Sequence, residues 1–276
     1  MFNRVILAVL ILLVGLLVWQ VSMRESEHPQ VEQEIIDIVE PEAQPEPVEL
    51  PNFAAYQDVN QKKQAFVDFL MPAIEQANRA IEQERAFLLS LDLTRLSAND
   101  KQNLTELGEK YKQARQPKQS LQSWRRQLLK KVDIIPPSLA LAQAANESAW
   151  GTSRFARKGF NFYGQWCFSE GCGLVPKGRP EGEGYEVRVF NTPQESVEAY
   201  MLNLNAFHTY QPLRQIRLTL REQDKAILGT RLAPGLLAYS QRREEYIEEI
   251  RNMIEYNEWL TYDWQWVENR NAASTE

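Results

Sequence analysis

Hydrophobic residues recur every three or four positions along much of the chain, which is the spacing of one face of an α-helix. Residues 53–131 follow this pattern and are predicted to form a helical region. The predicted helices are one that is kinked or begun at Pro72, one from about 98 to 113, and one from 120 to 131. Ser97 or Asn99 is suited to cap the second helix, since either side chain can accept a hydrogen bond from the first helical turn.

A second helical series begins beyond a pair of prolines. Pro136 ends the preceding segment, and Pro137 suits the first turn of a helix that we expect to stop near Gly151. Another helix is predicted to start at Thr192, because Thr192 and Glu195 have the spacing of a capping box.

A short stretch of alternating hydrophobic and polar residues interrupts the helical series. Residues 185–189 alternate in this way and are predicted to be the return strand of a small hairpin, after a loop rich in glycine and aromatic residues. A last helix is predicted from about 240 to 260. These patterns predict a mainly α-helical domain with a small β-lobe at residues 132–268, followed by a tail at 269–276.

The start of the chain is a continuous apolar segment and not an amphipathic one. Val5 to Met23 is apolar except for two residues and is long enough to cross the hydrocarbon core of a bilayer, about 30 Å thick, as a helix. We therefore predict a transmembrane anchor at 1–23, with a cleaved signal peptide as the alternative. Residues 24–52 are predicted to be an extended linker, since nine acidic residues and five prolines lie between 24 and 51.

Composition argues against several classes of function. The chain of 276 residues carries a net charge of −6, which is unlike a strongly cationic nucleic-acid-binding protein. Two histidines and two cysteines leave little room for a structural zinc site, and the glycine-rich motifs of nucleotide-binding proteins do not occur in the sequence. We therefore predict no metal, no cofactor and no nucleic-acid partner.

Two further sequence features concern the environment of the protein. Cys167 and Cys172 are spaced to close a small disulfide loop, which persists in an oxidising compartment, and two free buried thiols are the alternative. Residues 110–132 hold eight Lys or Arg and no acidic residue. We interpret this run as a solvated helix face, and contact with an anionic cell-wall polymer or lipid headgroup is the second interpretation.

Glu147 is the main candidate for chemistry. On a helix, Ala144 lies one turn before it and Gly151 one turn after it, so small residues leave space around the carboxyl group. Partial burial disfavours the charged form and raises the pKa of a carboxyl group. A carboxyl group that is protonated near neutral pH can act as a general acid on a glycosidic oxygen. A surface glutamate on an amphipathic helix is the alternative for this residue taken alone.

The residues around Glu147 resemble a known enzyme family. The stretch AQAANESAWG is followed by NFYG and, after the predicted hairpin, by the capped helix NTPQESVEAYMLNL. This order of motifs resembles glycoside hydrolase family 73, bacterial glucosaminidases that include flagellar peptidoglycan hydrolases and autolysins, and more closely its Bax-type members of Gram-negative bacteria. The motif residues are Ala142, Gln143, Ala144, Glu147, Ser148, Trp150, Gly151, Asn161, Tyr163 and Gly164. The resemblance covers roughly residues 132–256.

The resemblance implies a lysozyme-like helical fold and hydrolysis of the β-1,4 bond after N-acetylglucosamine in peptidoglycan glycan strands. Glu147 matches the family's proton donor. The second carboxylate of the family lies in the β-lobe, where Glu183 is our preferred candidate and Glu170, Glu181 and Glu186 are alternatives. The substrate's own N-acetyl group could replace such a carboxylate. The apolar segment at 5–23 and the cysteine pair predict an envelope location, with an inner-membrane anchor and the catalytic domain in the periplasm, or secretion there if the N-terminus is cleaved.

Several side chains are predicted to bind the substrate. Aromatic rings beside a glycine-rich loop can stack on sugar rings, and packing within the lobe is the alternative for each of them. The family also uses a tyrosine near its last helix, for which Tyr239 is the candidate, whereas Tyr246 is assigned to the core. The predicted substrate-binding residues are Gln143, Ser148, Phe162, Tyr163, Trp166 and Tyr239.

The sequence is also compatible with two other functions. A lytic transglycosylase also carries a Glu-Ser pair on a lysozyme-like helix, although that class usually continues with a Gly-Leu-Met-Gln segment where this chain has GFNFYGQW. A non-catalytic scaffold that binds the cell wall is the alternative from another class. The predicted anchor, the long linker and the basic run are compatible with such a scaffold.

Overall fold

The computed structural model describes residues 48–273, and most of them lie in α-helices. The helices are α1 (Val59–Ser90), α2 (Ala98–Lys110), α3 (Leu121–Lys131), α4 (Pro137–Ser148), α5 (Arg154–Gly159), α6 (Pro193–Ala206), α7 (Gln211–Glu222), α8 (Gly229–Leu232), α9 (Glu244–Tyr256) and α10 (Leu260–Ala273). The strands are β1 (Trp166–Cys167), β2 (Gly173–Leu174) and β3 (Glu186–Arg188). The predicted mainly α-helical fold with a small β-lobe is confirmed.

The predicted anchor at 1–23 and the linker as far as residue 47 lie outside the described residues. Among helices within 48–273, none combines the length and the apolar character needed to cross a membrane.

Helix α4 is the central element of the core. It contacts α1, α8, α9 and α10, and most of its side chains are buried. Alanines at four positions allow these neighbours to approach closely from several directions. The apolar residues of α4 are therefore core residues on nearly every face, and Glu147 lies in the last turn of a helix that the rest of the fold holds in place.

The helical region at 53–131 shares this core. Helix α1 packs against α4 and α6 through a buried stripe that includes Phe66, Leu70 and Ile74. Pro72 lies inside α1 without ending it. Ser97 caps α2 and forms a reciprocal capping box with Asp100. Residues on both sides of the predicted boundary at 131/132 thus belong to one hydrophobic cluster.

The β-lobe is a three-stranded antiparallel sheet with the order β1-β3-β2, one strand more than the predicted hairpin. A disulfide joins Cys167 and Cys172 at the ends of the segment between β1 and β2, as predicted. The buried carboxylate of Glu186 accepts hydrogen bonds from the backbone N–H groups of Gly171 and Gly173, at 3.2 and 2.7 Å. The disulfide and Glu186 together fix the loop of the lobe.

The C-terminal part contains a helix that the hydrophobic pattern did not separate. The predicted helix at 240–260 is α9, and a distinct helix α10 follows it. From α10, the buried Asp263 accepts hydrogen bonds from the backbone N–H and hydroxyl of Ser138 and from the backbone N–H of Gly229. Because Pro136 offers no side-chain cap to α4, Asp263 supplies that cap from the other end of the chain.

Asp133 forms a buried ion cluster just before α4. Its carboxylate lies 2.7 Å from Nη2 of Arg221, 3.6 Å from Nη1 of Arg85 and 3.9 Å from Nε of Arg217. Burial alone would raise the pKa of Asp133, but the three guanidinium groups outweigh it and hold the pKa below its usual value. This cluster ties α1 and α7 to the start of α4.

Candidate active site

Glu147 is half-buried at the C-terminal end of α4, beside the loop that contains the NFYG motif. A Cβ atom on Gly164 of that motif would lie 3.7 Å from Oε2 of Glu147, so the two motifs meet at this carboxyl group. Burial raises the pKa of Glu147, while a hydrogen bond from Tyr246 and the charge of Arg242 partly offset the shift. The raised pKa is the property that a general acid requires.

A chain of hydrogen bonds leads from the core to Glu147. The Tyr200 hydroxyl donates to Oε1 of Gln143 at 2.6 Å, and Nε2 of Gln143 donates to the Tyr246 hydroxyl at 3.0 Å. Since the Tyr246 oxygen already accepts from Gln143, its own O–H is free to donate to Glu147, with which it is hydrogen-bonded. Gln143 is fully buried, so its side chain reaches Glu147 through Tyr246 and is not exposed to a ligand.

The turn after α4 is held by hydrogen bonds of Ser148, the residue next to Glu147. The buried Ser148 hydroxyl donates to the carbonyl of Ala144 at 2.6 Å and accepts from the N–H of Gly151 at 2.8 Å. Ala149, Trp150 and Gly151 all have positive φ, which is costly for the first two residues. Gly151 is required because a Cβ atom there would clash with the Phe53 ring.

A group of tyrosines forms the wall around the acid. Tyr163 stacks on Tyr200 with ring centroids 3.8 Å apart, and Tyr239 stacks on Tyr246 at 5.5 Å. The Tyr239 hydroxyl donates to the backbone carbonyl of Tyr163 at 3.1 Å, which joins the two pairs. Sequence reasoning assigned Tyr246 to the core; the structure shows that it is buried and also contacts Glu147.

The predicted aromatic substrate-binding residues lie in different environments. Phe162 is fully buried and packs against Phe66 and Phe69, so the structure favours the packing alternative for its ring. Trp166 is 51% exposed on the β-lobe and lies against Tyr185, with 4.3 Å between ring centroids. Trp166 therefore presents an accessible aromatic face, whereas Phe162 does not.

Asn161 explains why the NFYG segment keeps its shape. Its side-chain amide donates to the carbonyls of Gln165 and Arg188, both at 2.8 Å, and its carbonyl oxygen accepts from the N–H of Gln165 at 2.9 Å. One side chain thus joins the loop to β3. Gly164 inside this loop has φ +65°, which favours glycine, and its lack of a side chain leaves space at Glu147.

Two charged residues near Glu147 were not identified from the sequence. Arg242 lies in the segment before α9, is half-exposed, and forms an ion pair with Glu249 at 2.5 Å. The charge of Arg242 lowers the pKa of Glu147, and that of Glu249 raises it. Only the fold brings these residues to the acid, since nothing in their local pattern indicates it.

The candidates for a second carboxylate lie in the β-lobe. Glu170, Glu181 and Glu183 are exposed on its loops. Glu186 is buried and satisfied by two backbone N–H groups, which is a structural role. The oxygen of Glu186 and the sulfurs of Cys167 and Cys172 lie within 4.8 Å of one another, but the disulfide removes the thiolates that a metal would need.

Comparison with known proteins shows which family the chain resembles. Residues 122–259 match the glucosaminidase family model, described as mannosyl-glycoprotein endo-beta-N-acetylglucosaminidase. The chain is 32% identical to "Protein bax" of Escherichia coli (strain K12) over 212 residues, which cover 76% of this chain and 75% of that protein. No solved structure matches the chain significantly. The matched region contains Glu147, the NFYG loop, the β-lobe and Tyr246.

Proposed function

The chain belongs to the glucosaminidase family of glycoside hydrolases, in its Bax-type group, and from this premise we propose that it is an endo-β-N-acetylglucosaminidase acting on peptidoglycan. The bond it hydrolyses would be the β-1,4 linkage after N-acetylglucosamine. The observation that carries the proposal is the half-buried Glu147, whose raised pKa suits a general acid and whose carboxyl group faces a loop that glycine keeps open.

In the proposed mechanism, protonated Glu147 donates its proton to the glycosidic oxygen as the bond between that oxygen and the anomeric carbon breaks. Positive charge develops on the sugar ring, and water then attacks the anomeric carbon. The water loses a proton to a base, and a new reducing end forms. The Tyr246 hydroxyl holds the Glu147 side chain in position and stabilises its carboxylate once the proton has left.

Product analysis tests this proposal. Purified peptidoglycan is digested with the full-length protein in non-ionic detergent, and the muropeptides are analysed by mass spectrometry. We expect new reducing N-acetylglucosamine ends. Anhydro-muramic ends would instead identify a lytic transglycosylase and overturn the hydrolase assignment.

A scaffold function is tested by the same material and the variant Glu147→Gln. An enzyme loses hydrolysis in this variant while it still sediments with insoluble peptidoglycan. A wild-type protein that sediments with peptidoglycan but releases no fragments from several peptidoglycan types would support the scaffold instead.

Glu183 is the proposed second carboxylate, and its role would be to orient water or to stabilise the developing positive charge. It lies on the exposed loop between β2 and β3. Glu181, an alternative candidate, is two positions away on the same loop, so Glu183→Gln and Glu181→Gln are each compared with the wild type. If both variants hydrolyse peptidoglycan as fast as the wild type, the substrate's N-acetyl group becomes the preferred second group.

We propose that Trp166 and Tyr239 contact the glycan, since Trp166 is exposed on the lobe and Tyr239 belongs to the tyrosine wall. Gln143 would act by orienting Tyr246, and Ser148 by holding the turn after α4. Tyr163 would act by stacking on Tyr200. Trp166→Ala should raise KM more than it lowers kcat.

We further propose an envelope location, with residues 5–23 in the inner membrane and the catalytic unit in the periplasm. The Cys167–Cys172 disulfide supports an oxidising compartment. Fractionation of cells, followed by alkaline extraction of membranes, tests the anchor. Release of the protein by alkali, or a mature N-terminus beyond residue 23, would contradict it.

A further inference from the structure

A cavity of about 640 Å³ lies between the ends of α2, α3 and α6 and the start of α7. Its lining includes four cationic side chains, Lys112, Lys130, Lys131 and Arg214, and no aspartate or glutamate. Three of these residues belong to the basic run at 110–132. The fold therefore gathers part of that run into one concave site, although the preferred sequence interpretation was a solvated helix face.

These four cations differ from others in the described part of the chain, where several arginines pair with carboxylates. Within residues 48–273, no carboxylate lies within 4.0 Å of Lys112, Lys130, Lys131 or Arg214 in an ion pair. Among the residues that the structure describes, no carboxylate therefore pairs with the cations of this cavity.

Two of the four cations, Lys131 and Arg214, also form hydrogen bonds to backbone carbonyl groups. Nζ of Lys131 donates to three backbone carbonyls, including that of Ala206, and Nη1 of Arg214 donates to the carbonyls of Leu204 and Phe207. These bonds satisfy carbonyl groups at the C-terminal ends of α2 and α6. This capping occupies the Lys131 ammonium and one nitrogen of the Arg214 guanidinium.

The other nitrogens of Arg214 and the ammonium group of Lys130 do not cap a helix. Among the described residues, Nε and Nη2 of Arg214 have no acceptor, and neither does Nζ of Lys130. The Lys112 ammonium is held 3.6 Å from the centroid of the exposed Phe207 ring at the rim. Burial, together with the charges of Arg214 and Lys112, lowers the pKa of Lys131 to about 8, so these cations repel one another when no anion lies between them.

We propose that this cavity binds a phosphate group, either of a soluble phosphorylated compound or of an anionic phospholipid headgroup. A phosphate carries up to two negative charges and several acceptor oxygens, which suits several converging cations better than a single carboxylate does. The free N–H groups of Arg214 would supply directional hydrogen bonds, and Lys112 and Lys130 would supply charge at the mouth. The site is separate from Glu147, whose neighbours do not line this cavity.

Calorimetric titration of the full-length protein in non-ionic detergent with inorganic pyrophosphate tests the proposal. The variant carries Lys112→Gln and Lys130→Gln. The control carries Lys118→Gln and Arg126→Gln, which remove the same charge from exposed residues outside the lining. We expect saturable binding by the wild type and the control within twofold of each other, and at least tenfold weaker binding by the cavity variant.

Absence of saturable binding by the wild type, or equal weakening in both double variants, would overturn the proposal. Thermal unfolding verifies that both double variants are folded, and Lys130→Gln alone, at an exposed position, should still weaken binding severalfold. Titrations with glycerol 3-phosphate and with monomeric short-chain phosphatidylglycerol then distinguish the two sources. Tighter binding of the lipid assigns a headgroup site, and tighter binding of glycerol 3-phosphate assigns a soluble ligand.

Discussion

Asp133 lies just before helix α4 and Glu147 lies in its last turn; Asp133 is buried and Glu147 is half-buried. Asp133 is surrounded by three guanidinium groups, which keep its pKa low. Glu147 is surrounded by tyrosines and glycine, with a single half-exposed arginine nearby, and burial raises its pKa. The pKa values of the two carboxyl groups are therefore shifted in opposite directions, down at Asp133 and up at Glu147.

The difference shows that burial alone does not decide what a carboxyl group does. Burial raises the pKa in both places, and the number of cations in contact determines the final direction. At Asp133 the ion pairs bind α1 and α7 to the start of α4, which is a structural role. At Glu147 no such ion pair is formed by the described residues, so burial outweighs the nearby charge of Arg242 and the pKa stays raised. The comparison can be tested by changes at each end.

The largest expected effect is on activity, from Glu147→Gln. Glutamine keeps the size of the side chain but cannot donate the proton, so we expect kcat/KM for peptidoglycan hydrolysis to fall by about 10³-fold. The midpoint of thermal unfolding should change little, because no ion pair is lost. Hydrolysis above a tenth of the wild-type rate would remove Glu147 from its proposed role.

The next effect is on stability, from Asp133→Asn. This change leaves the buried Arg217 without its counter-charge, so the free energy of unfolding should fall by about 3 kcal/mol. Urea unfolding of Asp133→Asn beside Glu147→Gln measures it. Equal stability of the two variants would mean that the arginine cluster contributes nothing to folding.

The two carboxyl groups should also differ in how they respond to acid. The folded pKa of Asp133 is lower than its unfolded value of about 3.9, so its contribution to stability is present above that pH and is lost as the pH falls through the folded pKa. Wild-type stability should therefore decline more steeply below about pH 4 than that of Asp133→Asn. Parallel curves of unfolding free energy against pH would contradict this.

A smaller effect is expected from Tyr246→Phe. The variant loses the hydrogen bond that lowers the pKa of Glu147, so the alkaline limb of the activity profile should move to higher pH. Loss of positioning should lower kcat by about tenfold, a typical loss of about 1.4 kcal/mol for one hydrogen bond to a reacting group. Tyr239→Phe is the control for the shift of the pH profile alone, because its hydroxyl bonds to a backbone carbonyl and not to Glu147. Its kcat is not compared, since Tyr239 is proposed to contact the glycan.

The smallest effect is expected from Arg242→Gln. Removing this charge should raise the pKa of Glu147 and move the alkaline limb to higher pH, with rates at neutral pH within about threefold of wild type. Arg243→Gln serves as the control. The shift should shrink in high salt, since Arg242 is half-exposed, and a shift of the same size for both arginines would exclude a specific effect.

The sequence predicted much of this architecture, and the failures have a common cause. Helix spacing, the Ser97 cap and the NFYG motif beside Glu147 are local patterns, and the structure contains them. Asp263 holds the start of α4 from the far end of the chain, and three arginines on α1 and α7 meet Asp133. Such pairs follow no periodicity, so only the folded chain reveals them.

The residues predicted for substrate binding also show which properties are local and which depend on distant parts of the chain. The spacing on α4 indicated that Gln143 lies one turn from the acid, but it could not reveal the two tyrosines that bury its amide. Phe162 and Trp166 have similar local sequence surroundings, yet one packs against α1 and the other lies on the lobe surface. Exposure depends on distant elements, which local sequence does not specify.

The packing of α1 against α4 and α6 determines which segment of the chain can fold when it is fused to another protein. The family match covers 122–259, but α1 and α10 lie outside it and supply buried residues to the same core. A fusion that transplants the matched segment alone would expose the apolar face of α4 to water. The segment that carries the complete core runs from Phe53 to the end of α10, and this is the segment to transfer when the fold is fused to another protein.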